Sequence, residues 1–162
     1  MWKPGQEADG FHLILENKNG AKENKRKTGS RYEDIAARFL SLKGYTVLER
    51  NYRIRTAEID IIARDNIKNE LVFIEVKTRT NREYGNPADS IDKYKKKHIY
   101  KALKYYIFIN NLVNEYIRID AIEVYILKNQ NKINHIKQIF WFVYTRKNEL
   151  KDLYLYKSKA HF

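Results

Sequence analysis

Residues 57–79 read Ala-Glu-Ile-Asp-Ile-Ile-Ala-Arg-Asp-Asn-Ile-Lys-Asn-Glu-Leu-Val-Phe-Ile-Glu-Val-Lys-Thr-Arg. Two runs rich in β-branched and apolar residues, Glu58 to Arg64 and Leu71 to Thr78, flank the polar link Asp65 to Asn69. A link that short favours an antiparallel hairpin. Both runs carry charges where an ordinary strand would be apolar. Strand alternation puts Glu58, Asp60 and Ile62 on one face of the first run. It puts Phe73, Glu75, Lys77 and Arg79 together on the second, and leaves Val72, Ile74 and Val76 as an apolar core face.

The flanking elements follow from this hairpin. Upstream, Ser30 with Glu33 three residues later reads as a capping box opening a helix over 31–43. Ala36, Ala37, Phe39 and Leu40 give it an apolar stripe, and Gly44 stops it. Tyr45 to Arg53 reads as a strand joined to the hairpin through Arg55-Thr56. Downstream, Asn86-Pro87 with Asp89 opens a long helix to about Asn110, with Ile91, Ile99, Leu103, Tyr106 and Ile107 as its apolar stripe. Ile117 to Leu127 and Ile136 to Tyr144 read as strands about a turn at Asn129 to Asn131. The order αβββαβ, then a further strand, predicts an α/β fold: a mixed sheet flanked by helices. Residues 1–27 are expected to be a poorly ordered leader, 28–140 the folded domain, and 141–162 a basic, Tyr-rich extension.

The chain has 162 residues, suited to one domain, and a formal net charge of +12, which suggests a polyanion partner such as nucleic acid, or an anionic membrane surface. It has no Cys, which excludes disulfides, thiolate metal sites and a Cys nucleophile, and fits a reducing, cytoplasmic setting. No apolar run is long enough to cross a bilayer, so no membrane partner is expected. The charge is uneven. Residues 31–92 hold 11 basic and 11 acidic side chains, whereas 93–162 hold 15 and 5. Within the basic part, Lys93, Lys97, Lys101 and Lys104 share one helical stripe that can follow a phosphate backbone, although a solvated helix surface gives the same pattern.

Burying Asp60 and Glu75 on adjacent strands is costly unless they are paired or bind a cation. Two such carboxylates suit a hard, oxygen-seeking ion such as Mg²⁺. Glu33, at the end of the buried helical stripe, is a third candidate ligand. Lys77, next but one to Glu75, suits orienting a water or steadying developing phosphate charge. A plain alternative stays open on spacing alone: a surface Glu75–Lys77 pair, a half-exposed Asp60, and Glu33 as a capping residue.

Asp60 followed by Glu75-Val76-Lys77 resembles the D…(D/E)-x-K signature of the PD-(D/E)XK nuclease superfamily, which includes Holliday junction resolvases. The wider pattern resembles the YraN-like family of predicted bacterial endonucleases. It runs through Gly29, Glu33, Ala36-Ala37, Phe39-Leu40, Gly44-Tyr45, Leu48, Arg50-Asn51, Arg53, Glu58-Ile59-Asp60, Ile62-Ala63, Leu71-Val72-Phe73, Glu75 to Arg79, Gly85, Pro87, Arg118-Ile119-Asp120 and Ile133 to Phe140. Tyr32, Ala57 and Ile139 depart from it, and none of these is a proposed ligand. The resemblance implies a restriction-endonuclease-like core and a Mg²⁺-dependent endonuclease, with Mn²⁺ able to serve, acting on DNA, including branched or structured DNA. Asp60 and Glu75 would ligate the metal with the Val76 carbonyl. Glu33 would bind it directly or through water, Lys77 would act on the attacking water, and Glu58 and Arg79 would support. A homodimer would suit a two-fold substrate. Two rivals stand beside this reading: a non-catalytic nucleic-acid-binding module with the same fold, and a partner-binding protein docking through its basic tail.

Overall fold

A computed structural model describes residues 25–79, 93–112, 115–126, 131–144 and 150–152. In chain order the elements are α1 (Lys25–Leu42), β1 (Tyr45–Ile54), β2 (Ala57–Asp65), β3 (Glu70–Arg79), α2 (Lys93–Ile109), β4 (Tyr116–Ile126), β5 (Asn131–Tyr144) and β6 (Leu150–Asp152). The six strands form one sheet in sequence order, β1 to β6. All neighbours are antiparallel except β3 and β4, which run parallel. A parallel pair needs a crossover, and α2 lies within it.

The two helices cover opposite faces. Tyr32, Ile35, Ala36, Phe39 and Leu40 of α1 pack on Ile61, Ala63, Val72, Ile74, Ile122 and Val124. Ile99, Ala102, Leu103, Tyr106 and Ile107 of α2 pack on Ile59, Ile62, Leu71, Phe73, Ile117 and Ile119. Both stripes follow the i, i+3, i+4, i+7 spacing of an amphipathic helix. Alternation along β3 therefore sends Val72 and Ile74 to the α1 side and Phe73 to the α2 side. A mixed α/β fold is what the spacing predicts and what the chain adopts.

Several boundaries differ from the expectations. The first helix starts at Lys25, so Ser30 lies inside it and cannot cap it. Residues 25–27, read as leader, are helical, while the rest of the leader lies outside the described residues. The predicted helix start at Pro87 and the side chain of Lys93 also lie outside them. β5 begins at Asn131 rather than Ile136, because Ile133 and His135 alternate inward ahead of the apolar run. Tyr106 of the predicted apolar stripe is buried, whereas Tyr105 and Tyr116 are exposed. Gly44 does end α1, with φ at 84°, in the left-handed region where glycine carries no steric cost.

Candidate active site

The β2–β3 ladder pairs Asp65 with Glu70 and runs to Ile61 opposite Ile74. Asp60 and Glu75 are the next residues on each strand, and there the pairing has ended: β2 continues against β1 and β3 against β4. At this fork the alternation of β2 breaks. Ile61 packs toward α1, whereas Ile59 packs toward α2 together with Ile62. The common face expected for Glu58, Asp60 and Ile62 is therefore not formed. β1 is irregular alongside, with a register shift between Val47 and Glu49 and a left-handed Asn51 at φ 53°.

The fork holds buried charge. Asp60 and Glu75 are 8% and 9% exposed. With the ladder open, Asp60 Oδ2 accepts the Val76 N–H at 2.7 Å. Burial, and then the charge of Glu75, push Asp60 up to about 7, against the pull of the Val76 N–H and of Lys95. Glu33 reaches the same place from α1, on the other face. It is half-buried, and its Oε2 has no hydrogen-bond partner. Burial raises its pKa, aided by the charges of Asp60 and Glu58 and opposed by a hydrogen bond with the Asn51 side chain. The three carboxylates thus approach one fork from both sides of the sheet. Among the described residues, no three His, Asp or Glu side chains are arranged to hold a metal ion as they stand.

A residue that the spacing did not single out also reaches the fork. Lys95 of α2 extends its ammonium to 3.0 Å from Glu75 Oε2. Lys95 is half-buried; burial works against its charge, but Glu75, Asp60 and Glu58 outweigh that and raise its pKa. In the sequence it is one of three consecutive lysines, and nothing marks it apart. Asn51 was visible as part of an Arg-Asn pair but carried no assigned role.

The other candidates take distinct places. Lys77 is half-buried and makes no ion pair among the described residues. Glu58 is exposed and pairs with Arg53 Nε at 3.0 Å. Arg79 donates from Nε and Nη2 to Glu123 Oε1 at 3.3 and 3.1 Å, tying β3 to β4 beyond the fork. Lys97, Lys101 and Lys104 are exposed along α2, and Lys104 lies over the Tyr100 ring at 5.8 Å. Among the described residues no helix is long and apolar enough to cross a membrane.

Comparison with known proteins is consistent across the same region. A family model described as "Uncharacterised protein family UPF0102" matches residues 32–124. The UPF0102 protein of Clostridioides difficile is 44% identical over 117 residues, covering 72% of this chain and 99% of its own length. That of Caldanaerobacter subterraneus is 43% identical over 122 residues, covering 74% and 98%. Among solved structures, Pyrococcus furiosus SfsA in complex with Ca²⁺ matches with 17% identity, 70% of this chain, 64% of that one and a TM-score of 0.30, too slight a likeness to argue from.

Proposed function

The chain belongs to the UPF0102 (YraN-like) family, and we propose that it is a metal-dependent endonuclease hydrolysing phosphodiester bonds in DNA. The observation that carries this reading is the fork: Asp60 and Glu75, both buried, follow the last paired residues of β2 and β3 and act on each other through their charges, with Lys77 next but one along β3. Like charges so placed are unfavourable in the fold alone. The cations on hand balance them only in part, and a carboxylate oxygen of Glu33 is left without a partner beside them. Such a donor set suits Mg²⁺ or Mn²⁺. Asp60 and Glu75 would hold the ion, with Glu33 and the Val76 carbonyl as further oxygen donors. When bound, the ion supplies a Lewis acid that polarises the phosphodiester and acidifies a water.

The remaining work falls to the chain itself. Lys77 emerges on the same face as Glu75, where its ammonium orients the attacking water and offsets charge growing on the phosphate oxygens. The Val76 N–H fixes the Asp60 carboxylate by a bond the open ladder leaves free. Arg79, held by Glu123, keeps the end of β3 in register with β4. The exposed lysines of α2 contact phosphates away from the cut, each adding about 0.9 to the salt slope of duplex binding. Branched DNA enters as a substrate through the superfamily resemblance alone.

The test is direct. Pure protein is incubated with labelled linear, nicked, flapped and four-way DNA, and with RNA, in Mg²⁺, Mn²⁺ or EDTA. Cutting is expected to need metal, and to fall about 100-fold or more in Lys77→Ala and Asp60→Asn. Salt-dependent binding without cutting on every substrate would replace this reading with that of a non-catalytic binding module.

A further inference from the structure

Beside the fork lies an open cavity of about 500 Å³, formed where the β1–β2 turn meets the first described turn of α2. Its size falls within the roughly 300–1,000 Å³ of small-ligand sites. Ile54 and Ala57, which pack onto the α2-side core, give it an apolar floor. Its charged lining is mostly cationic: Arg53, Arg55 and Lys95 against the single carboxylate of Glu58, with His98 beside them. Arg53 is engaged by Glu58 and Lys95 by Glu75, while Arg55 is exposed and has no ion pair among the described residues. An arginine so placed is suited to a phosphate, whose oxygens match its forked donors.

The opposite wall is aromatic. Tyr94 is 74% exposed, and its ring lies 4.4 Å from that of His98, tilted by 44°. His98 is anchored: its Nδ1 meets the Thr56 carbonyl oxygen at 2.5 Å. A carbonyl only accepts, so Nδ1 donates this bond, which fixes the ring beside Tyr94. One cavity therefore offers a guanidinium without an ion pair among the described residues and an exposed aromatic face. Two of its walls, Glu58 and Lys95, also act on Asp60 and Glu75.

We propose that this cavity binds one unpaired nucleotide of a polynucleotide strand, its phosphate on Arg55 and its base against Tyr94. The location of the cut beside it rests on the endonuclease reading of the fork; the binding does not. A base stacked within a duplex cannot reach such a wall, so the cavity selects strands with a single-stranded segment next to the fork, as in a flap or an overhang.

The test uses the full chain in EDTA. Fluorescence anisotropy is measured with oligo-dT, oligo-U, a flapped duplex and a blunt duplex across a salt series, for wild type, Tyr94→Ala, Tyr94→Phe and Arg55→Ala, with thermal melting as the check on folding. Single-stranded and flapped probes should bind more tightly than the blunt duplex. Tyr94→Ala should weaken them about 5- to 100-fold and leave the blunt duplex unchanged, and Tyr94→Phe should restore most of the loss. Arg55→Ala should lower the single-strand salt slope by about 0.7. The ratio of dT to U binding assigns DNA or RNA as the source of the strand. Single-strand binding within twofold of wild type in folded Tyr94→Ala, or a preference for the blunt duplex, overturns the proposal. Tyr94-dependent binding without metal-dependent cutting would uphold the cavity and remove the endonuclease reading; cutting of single-stranded and flapped substrates indifferent to Tyr94 and Arg55 would do the reverse.

Discussion

Two clusters of buried charge lie along β3, and they are built on opposite terms. At its start, Arg118 is 1% exposed and surrounded by Asp65, Glu70 and Asp120. Its Nε donates to Asp120 Oδ1 at 2.9 Å, its Nη1 to Glu70, and its Nη2 to the Tyr45 hydroxyl at 2.9 Å and to Asp65 at 3.2 Å. Asp120 also takes the Gln138 N–H and the His135 ring nitrogen, each at 2.8 Å, and Asp65 takes the N–H groups of Ile67 and Lys68. Burial alone would raise Asp120, but His135, Arg118 and the Gln138 N–H together hold it below the ordinary carboxylate value. Asp65 is lowered in the same way. At the fork, by contrast, Asp60 is pushed up, Glu33 has an oxygen without a partner, and one ammonium serves the pair.

The difference is one of matched against unmatched charge, and it bears on the proposed function. The Arg118 network joins β1, the β2–β3 turn, β4 and β5, and its hydrogen-bonding groups are matched, which is how a buried ion pair becomes compatible with a stable fold. Among the described residues the fork is left short of counter-charge, whereas the Arg118 cluster is matched. Such a local conflict is characteristic of a site kept for chemistry.

The comparison can be broken most forcefully at Arg118. Arg118→Met leaves three buried carboxylates without their cation, and should cost about 3–5 kcal/mol in urea unfolding; a loss below about 1 kcal/mol would mean the network is not structural. A smaller effect of opposite sign is expected at the fork. Asp60 has a raised folded pKa, so its contribution to stability is full below its ordinary value near 3.8 and is lost as pH rises through about 7. Asp60→Asn should therefore stabilise the metal-free protein at pH 8 by about 1–3 kcal/mol and flatten its stability between pH 5 and 8. Asp65 and Asp120, with lowered values, give stability that is present above 3.8 and lost as pH falls through their folded values, so both proteins should weaken in acid. No gain for Asp60→Asn at pH 8 would remove the contrast. The smallest effect concerns Lys95. Lys95→Met takes a positive charge away from Glu75, and should tighten Mn²⁺ binding about tenfold by calorimetry, with Lys95→Arg close to wild type. Equal Mn²⁺ affinities in all three proteins would show that Lys95 does not act on the pair through its charge.

Much of this was legible in residue order. The Glu58 and Leu71 runs with their five-residue link led to the β2–β3 hairpin, and the 3.6 period led to both helices. Charges inside apolar runs marked Asp60 and Glu75. The start of α1 was misread because Ser30 and Glu33 form a valid capping pattern within a helix that continues past it in both directions. The break in alternation at Asp60 was hidden because periodicity assumes an unbroken ladder, and the ladder ends there. Arg118 and His135 lie in separate stretches of the family pattern; their shared partner, Asp120, joins them only once β4 and β5 pair across an irregular register.

By itself, then, the sequence determined the elements, the mixed α/β order and which strand positions carry charge in place of apolar side chains, because these depend on local periods of 2 and 3.6 residues. Only the tertiary structure decided which charges meet. Arg118 serves Asp65 and Glu70, about fifty residues away in the chain, and Lys95 rather than its neighbours reaches Glu75. Coulomb energy depends on distance in space and on burial, and neither is written in the spacing along the chain.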